Sequence, residues 1–269
     1  MPLFQNSISS KLPRVGTSIF TEMSHMANQY KAINLSQGFP DFDVDKELIK
    51  LVEKYLNKGI HQYAPMQGAM QLREAISQKI QLQHEISYDP NSEITITAGA
   101  TQAIFTAISA FVKEEDEVII FTPAYDCYEP TIELNGGRPV FVQLKSPDFK
   151  INWEEVKKLI SQRTKMIIIN TPHNPTGTTL EEHDLKELEK ITKDSEIIIL
   201  SDEVYEHIIF DDRPHQSICK YPELACRSIA VFSFGKTFHV TGWKMGYCVG
   251  PENLMHEFRK VHQFNVFSC

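Results

Sequence analysis

Seven short apolar runs recur along the chain, each separated from the next by a turn or by a longer stretch, and several of those stretches have helical spacing. The runs cover residues 94–97, 117–121, 139–142, 165–170, 196–200, 228–232 and 246–249. Most lack period-two alternation, which is the pattern of strands covered on both faces. Between them, 101–112 carries Ala103, Ile104, Ala107, Ile108 and Phe111 as a helical stripe. Residues 153–161 and 180–192 are charged along one side, and Glu181 and Glu182 suit the start of a helix in the second. Residues 66–83 place Leu72, Ala75, Ile76 and Ile80 on one face. This alternation predicts an α/β fold with a mainly parallel central sheet and helices on both faces. Residues 1–45 show no clear periodicity and are read as an N-terminal arm and covering segment, with 46–269 as the main body.

A chain of 269 residues has the length of one large domain, or one and a fragment. Its 27 Lys and Arg against 35 Asp and Glu give a net charge of −8. That balance argues against a nucleic-acid binder or a polybasic membrane-surface protein. The longest aliphatic stretches, 166–169 and 197–200, fall far short of the roughly 20 residues of a membrane span. The opening MPLFQN lacks a secretory pattern. The five cysteines, Cys127, Cys219, Cys226, Cys248 and Cys269, are odd in number and form no CxxC pair, so the expectation is free thiols in a reducing cytoplasm. The ten histidines include no HExxH, and no metal site is expected.

In open α/β sheets, chemistry gathers beyond the carboxyl ends of the strands. Four segments there carry unusual residues. Ser233, Lys236 and Lys244 offer a hydroxyl and two ammonium groups, an anion site unless the lysines are simply solvated. Asp202 follows a buried-looking strand, where a carboxylate needs donors or a cation; the alternative is a helix N-cap made by Ser201 or Asp202. Gly99, Ala100 and Thr101 open a helix, and backbone N–H groups there can receive a phosphate. The stretch is neither GxGxxG nor GxxxxGK[ST]. Asn174, Pro175, Thr176 and Gly177 taken alone are turn chemistry.

Taken together and in order, these segments resemble the class I and II aminotransferases, pyridoxal-phosphate (PLP) enzymes of fold type I. The resemblance runs through SQGFPDF (36–42), YAPMQG (63–68), PAYDCYEP (123–130), NPTG (174–177), SDEVY (201–205) and SFGKTFHVTGWKMGY (233–247), nearly the whole chain. The wording is similar to the methionine and kynurenine aminotransferase branch. The resemblance implies that Lys236 is the catalytic Schiff-base lysine and proton carrier. It implies that Asp202 keeps the pyridine nitrogen protonated, that Tyr205 and Asn174 bond the ring's phenolic oxygen, and that Tyr125 stacks on one ring face with Val204 on the other. It further implies that Ala100, Thr101, Ser233 and Lys244 hold the phosphate, Lys244 standing where many relatives have arginine. Tyr63 is implied to reach the phosphate of a neighbouring subunit in a homodimer. Gly38 and Asn174 are implied to approach substrate, an amino acid (methionine or aromatic) and a 2-oxo acid. Phe39 and Phe42 are read as substrate covers or core anchors, His173 and His239 as pocket-lining or structural.

The family's chain continues into a smaller C-terminal domain bearing the arginine that pairs with the substrate's α-carboxylate. The resemblance implies that this domain is absent here, and nothing matches Arg259 to that role. Two other readings stay open beside transamination: a PLP-dependent C–S β-lyase, and a PLP-binding remnant without turnover.

Overall fold

The computed structural model describes residues 6–38 and 40–269. The chain divides into two compact units, Met1–Asp41 and Phe42–Cys269. In the first, α1 (Ile19–Tyr30) is capped by Ser18, whose hydroxyl accepts from the Thr21 N–H at 3.4 Å. This helix lies in the stretch where the sequence shows no clear periodicity. Ile19, Met23, Met26 and Tyr30 fall at i, i+4, i+7 and i+11, a helical stripe too narrow and too exposed to stand out from its polar surroundings. Asn34 donates from its amide to Ser24 at 3.1 Å and accepts from Ser36, tying the residues after the helix.

In the second unit the helices are α2 (Lys46–Leu56), α3 (Met70–His84), α4 (Ala100–Phe111), α5 (Tyr128–Leu134), α6 (Trp153–Leu159), α7 (Glu182–Thr192), α8 (Pro222–Ala225), α9 (Phe234–Thr237) and α10 (Glu252–Asn265). The strands are β1 (Ile94–Thr97), β2 (Glu117–Thr122), β3 (Arg138–Gln143), β4 (Thr164–Asn170), β5 (Ile198–Asp202), β6 (Ser228–Ser233) and β7 (Gly246–Val249). They form one sheet in the order β1-β7-β6-β5-β4-β2-β3. Every pairing is parallel except those of β7, which runs antiparallel to both β1 and β6.

The apolar runs are continuous because both faces of the sheet are covered. Val118, Ile120, Met166 and Ile168 pack with Ile104, Ile108 and Phe258, under α4 and α10. Their alternates Ile119, Phe121, Ile167 and Ile169 pack with Ile76, Val156 and Leu188, under α3, α6 and α7. Two cores thus sandwich the sheet, as period-two side-chain direction requires when neither face is wet. The first turn of α7 is closed by a reciprocal cap in which the Glu181 N–H donates to Asp184 at 2.8 Å. Asp184 also accepts from the Trp153 indole N–H at 2.8 Å, joining α6 to α7.

Two of the shifted boundaries bear on the site. Helix α3 starts at Met70 rather than at 66, because residues 66–68 turn against β1, with the Gln67 carbonyl accepting from the Ile96 N–H. Strand β5 runs on through Ser201 and Asp202. No helix follows it, so the helix-cap reading of Asp202 is overturned. Among the described residues no helix is long and apolar enough to cross a membrane.

Candidate active site

Strand register brings the singled-out segments to one end of the strands. Thr97 of β1 and Ser233 of β6 both pair with Gly246 of β7, and Asp202 of β5 pairs with Val231 of β6 and Asn170 of β4. A Cβ on Gly246 would fall 2.9 Å from the Ala100 nitrogen and 2.7 Å from the Phe232 carbonyl oxygen, so only glycine lets β7 lie this close to the start of α4.

Gly99 is the N-cap of α4, at φ +80°, a conformation that residues with a Cβ rarely adopt. It has no side chain to cap the helix, which leaves the first-turn N–H groups of a 12-residue helix facing outward with the positive end of its dipole. The Lys244 ammonium lies 3.4 Å from where a Cβ on Gly99 would stand. The Thr101 hydroxyl is 3.1 Å from the Tyr125 hydroxyl on the same rim. Ser233 caps the short α9, accepting from the Lys236 N–H at 3.3 Å. Ala100, Thr101, Ser233 and Lys244 thus bring helix N–H groups, two hydroxyls and an ammonium to one end of the site, a donor set that suits an anion.

At the other end stands Asp202, only 3% exposed. Its Oδ2 accepts from the Tyr128 hydroxyl at 2.5 Å and its Oδ1 from the Val204 N–H at 3.3 Å. Burial pushes its carboxyl up to about 6; the two donors and Lys236 oppose the rise, and the neighbouring Glu203 carboxylate adds to it. Lys236 is half-buried, and its ammonium sits 5.4 Å from the centre of the Tyr205 ring. Burial lowers its pKa, with the Asp202 charge opposing and the Lys244 charge reinforcing the drop. Burial likewise raises the Tyr125 phenol to about 12 and lifts the Tyr205 phenol, so both stay protonated donors at neutral pH.

Asn174 is half-buried, and its turn is fixed from below. Its backbone N–H donates to the Asn170 Oδ1 at 2.7 Å, while the Asn170 amide donates to the Asp202 carbonyl at 2.9 Å. His173 bonds Thr176 at 2.8 Å within the same turn, and burial holds its pKa down to about 4. A groove of about 560 Å³ opens beside the site and reaches it at Asn174 and Tyr205. Two residues hold places in the site that the sequence reading assigns no role. Tyr128 looks like an ordinary core aromatic until β5 brings Asp202 to it, and Asn170 is the polar last residue of an apolar strand, a place that does carry a signal.

Tyr63 stands 81% exposed, its ring edge-on to Phe267 at 5.1 Å. Phe42 meets His239 with ring centres 5.1 Å apart. Gly38 belongs to the first unit, and Phe39 lies outside the described residues. Among the described residues no group of three or more His, Cys, Asp or Glu side chains is arranged to hold a metal ion.

The site therefore has a cluster of hydrogen-bond donors at one end, a buried acid at the other and a lysine with a lowered pKa near that acid. Residues 30–269 match the family described as aminotransferase class I and II. The chain is 49% identical over 259 residues to a methionine aminotransferase of Escherichia coli, an alignment covering 96% of this chain and 67% of that one. It is 33% identical to a mouse kynurenine–oxoglutarate transaminase 1, covering 96% of this chain and 64% of the relative. It thus spans about two thirds of the length of these relatives. An Escherichia coli crystal structure assigned a methionine aminotransferase function superposes with a TM-score of 0.94 at 48% identity, over 99% of this chain and 69% of that one. An N-succinyldiaminopimelate aminotransferase from Mycobacterium tuberculosis gives a TM-score of 0.93 at 34% identity, over 98% and 69%.

Proposed function

Because this chain belongs to the class I and II aminotransferases, a family of PLP-dependent enzymes, we propose that it binds PLP and moves the amino group of an amino acid to a 2-oxo acid. The observation that carries this reading is the under-compensated Asp202 carboxyl, buried, raised to about 6 and facing the same site as Lys236. A protonated ring nitrogen is the counter-charge such a carboxylate lacks. The donor set at the other end fits too: uncapped helix N–H groups, two hydroxyls and an ammonium suit a phosphate dianion. PLP therefore fits the residues present, in the part of the chain from 46 to 269.

When bound, PLP supplies an electron-withdrawing ring that accepts the electron pair left when the substrate's Cα loses its proton. The protein's own residues do the rest. Ala100, Thr101, Ser233 and Lys244 hold the phosphate. Lys244 does so as a point charge where a guanidinium would make a fork. Asp202 holds the proton on the ring nitrogen. Tyr125 and Val204 confine the ring, and Tyr205 and Asn174 donate to its phenolic oxygen. Lys236 carries the proton to and from Cα, and burial readies it by favouring the neutral amine. Asn174 approaches the substrate.

The donor we propose is methionine or an aromatic amino acid, supported by the methionine and kynurenine enzymes among the relatives. We read the active form as a homodimer in which the exposed Tyr63 reaches the neighbouring phosphate. The test is product analysis with PLP, a donor amino acid and a 2-oxo acid. Stoichiometric conversion of the acceptor into its amino acid is the expected result. Pyruvate and ammonia released from a β-thiol donor without use of the 2-oxo acid would assign a lyase instead. Silence towards every donor, with PLP bound, would assign binding without turnover.

A further inference from the structure

We propose that Tyr128 is a positioning residue for Asp202, its phenol fixing the orientation of the buried carboxylate and keeping it in its charged form. The proposal rests on the reading of Asp202 as the partner of the ring nitrogen. Among the described residues each carboxylate oxygen has one donor, and Tyr128 supplies the shorter bond, 2.5 Å against 3.3 Å from Val204. Tyr128 is itself 3% exposed, packed in the core that includes Ile104, Ile132 and Leu200. Burial and the Asp202 charge push the ionisation of its phenol far up, so at neutral pH it stays a protonated donor.

The other titratable groups bearing on Asp202 are few. Lys236 approaches from α9, Glu203 follows Asp202 in the chain, Tyr205 stands on the turn beyond, and Tyr125 and Cys127 precede α5. Of these, Lys236 is the one cation, and Glu203 works against ionisation. The Tyr128 bond is therefore the main local force favouring the carboxylate against burial. The spacing has a second consequence. Tyr125 and Tyr128 lie three residues apart, with rings edge-on at 5.8 Å, so one short segment reaches Thr101 at the cradle and Asp202 at the acid. That segment braces both ends of the site.

The test removes one oxygen atom. In the cofactor-free protein with ¹³C-labelled aspartate carboxyls, the Asp202 signal is assigned by its loss in Asp202→Asn and then titrated. Tyr128→Phe should raise its midpoint by about one pH unit, the scale of one charge-assisted hydrogen bond. In the PLP-loaded protein the acid limb of the kcat profile should move up with it. A Tyr128→Phe midpoint that coincides with the unsubstituted one would overturn the proposal and leave Tyr128 a space-filling core residue. A raised midpoint with an unmoved acid limb would instead overturn the reading of Asp202 on which the proposal rests.

Discussion

Asp202→Asn should lower kcat by several powers of ten while PLP remains bound. The substitution keeps the shape of the side chain and an oxygen for the Tyr128 hydroxyl, but removes the charge that would hold a proton on the ring nitrogen. Without that proton the ring is a poorer electron acceptor when Cα loses its hydrogen, so the loss falls on the chemical step. Binding survives because the cradle formed by α4, Ser233 and Lys244 is untouched. The same substitution should make the cofactor-free protein more stable at neutral pH. Burial raises the folded-state pKa of Asp202 to about 6, above the roughly 3.9 of an unfolded chain. The folded protein therefore keeps its proton longer, and ionising Asp202 costs stability as pH rises from about 4 through about 6. Asparagine removes that cost, a gain of about 1–3 kcal/mol above pH 6 that fades as pH falls towards 4. Urea midpoints at pH 7 and pH 4 measure it. A variant with near-normal turnover, or one less stable than the parent at pH 7, would mean that Asp202 is a structural acid.

Lys236→Ala should cost about four powers of ten or more in turnover, because one group is asked to be both the cofactor's anchor and the base at Cα. Lys236→Arg should be nearly as poor. A guanidinium restores the positive charge beside Asp202 but cannot give up a proton near neutral pH. That contrast separates chemistry from electrostatics. If the role of Lys236 were to balance the Asp202 charge, arginine would recover most of the activity. Steady-state rates of the two variants on a methionine donor check the point.

The strands of this fold are legible in the sequence because both faces are buried: runs such as 166–169 have no polar position to interrupt them. The same cause blurs their ends. At Ser201 and Asp202 polarity begins before the strand stops, because the polar residues are the site. Helices α1 and α2 escaped for the opposite reason. None of their residues is buried, so their apolar stripes are set among charges and lack the density that marks a core-facing helix. Lys236, Asp202, Ser233 and Asn174 stand out because polar residues after apolar runs are unusual. Tyr128 does not, since one tyrosine at the start of an ordinary helix has the same local pattern whether it meets a carboxylate or a leucine. Only the tertiary fold that brings the start of α5 to the last residue of β5 tells the two apart.

One chemical measurement asks directly whether Lys236 is the residue that bonds PLP. Lys236 and Lys244 lie in the same block, and both contribute to the site. Incubation with PLP, borohydride reduction and peptide mapping will place a pyridoxyl phosphate group on one of them. A Schiff-base role for Lys236 requires stoichiometric label on Lys236, none on Lys244, and loss of the label in Lys236→Ala. Label on Lys244, or label that persists in Lys236→Ala, would contradict it.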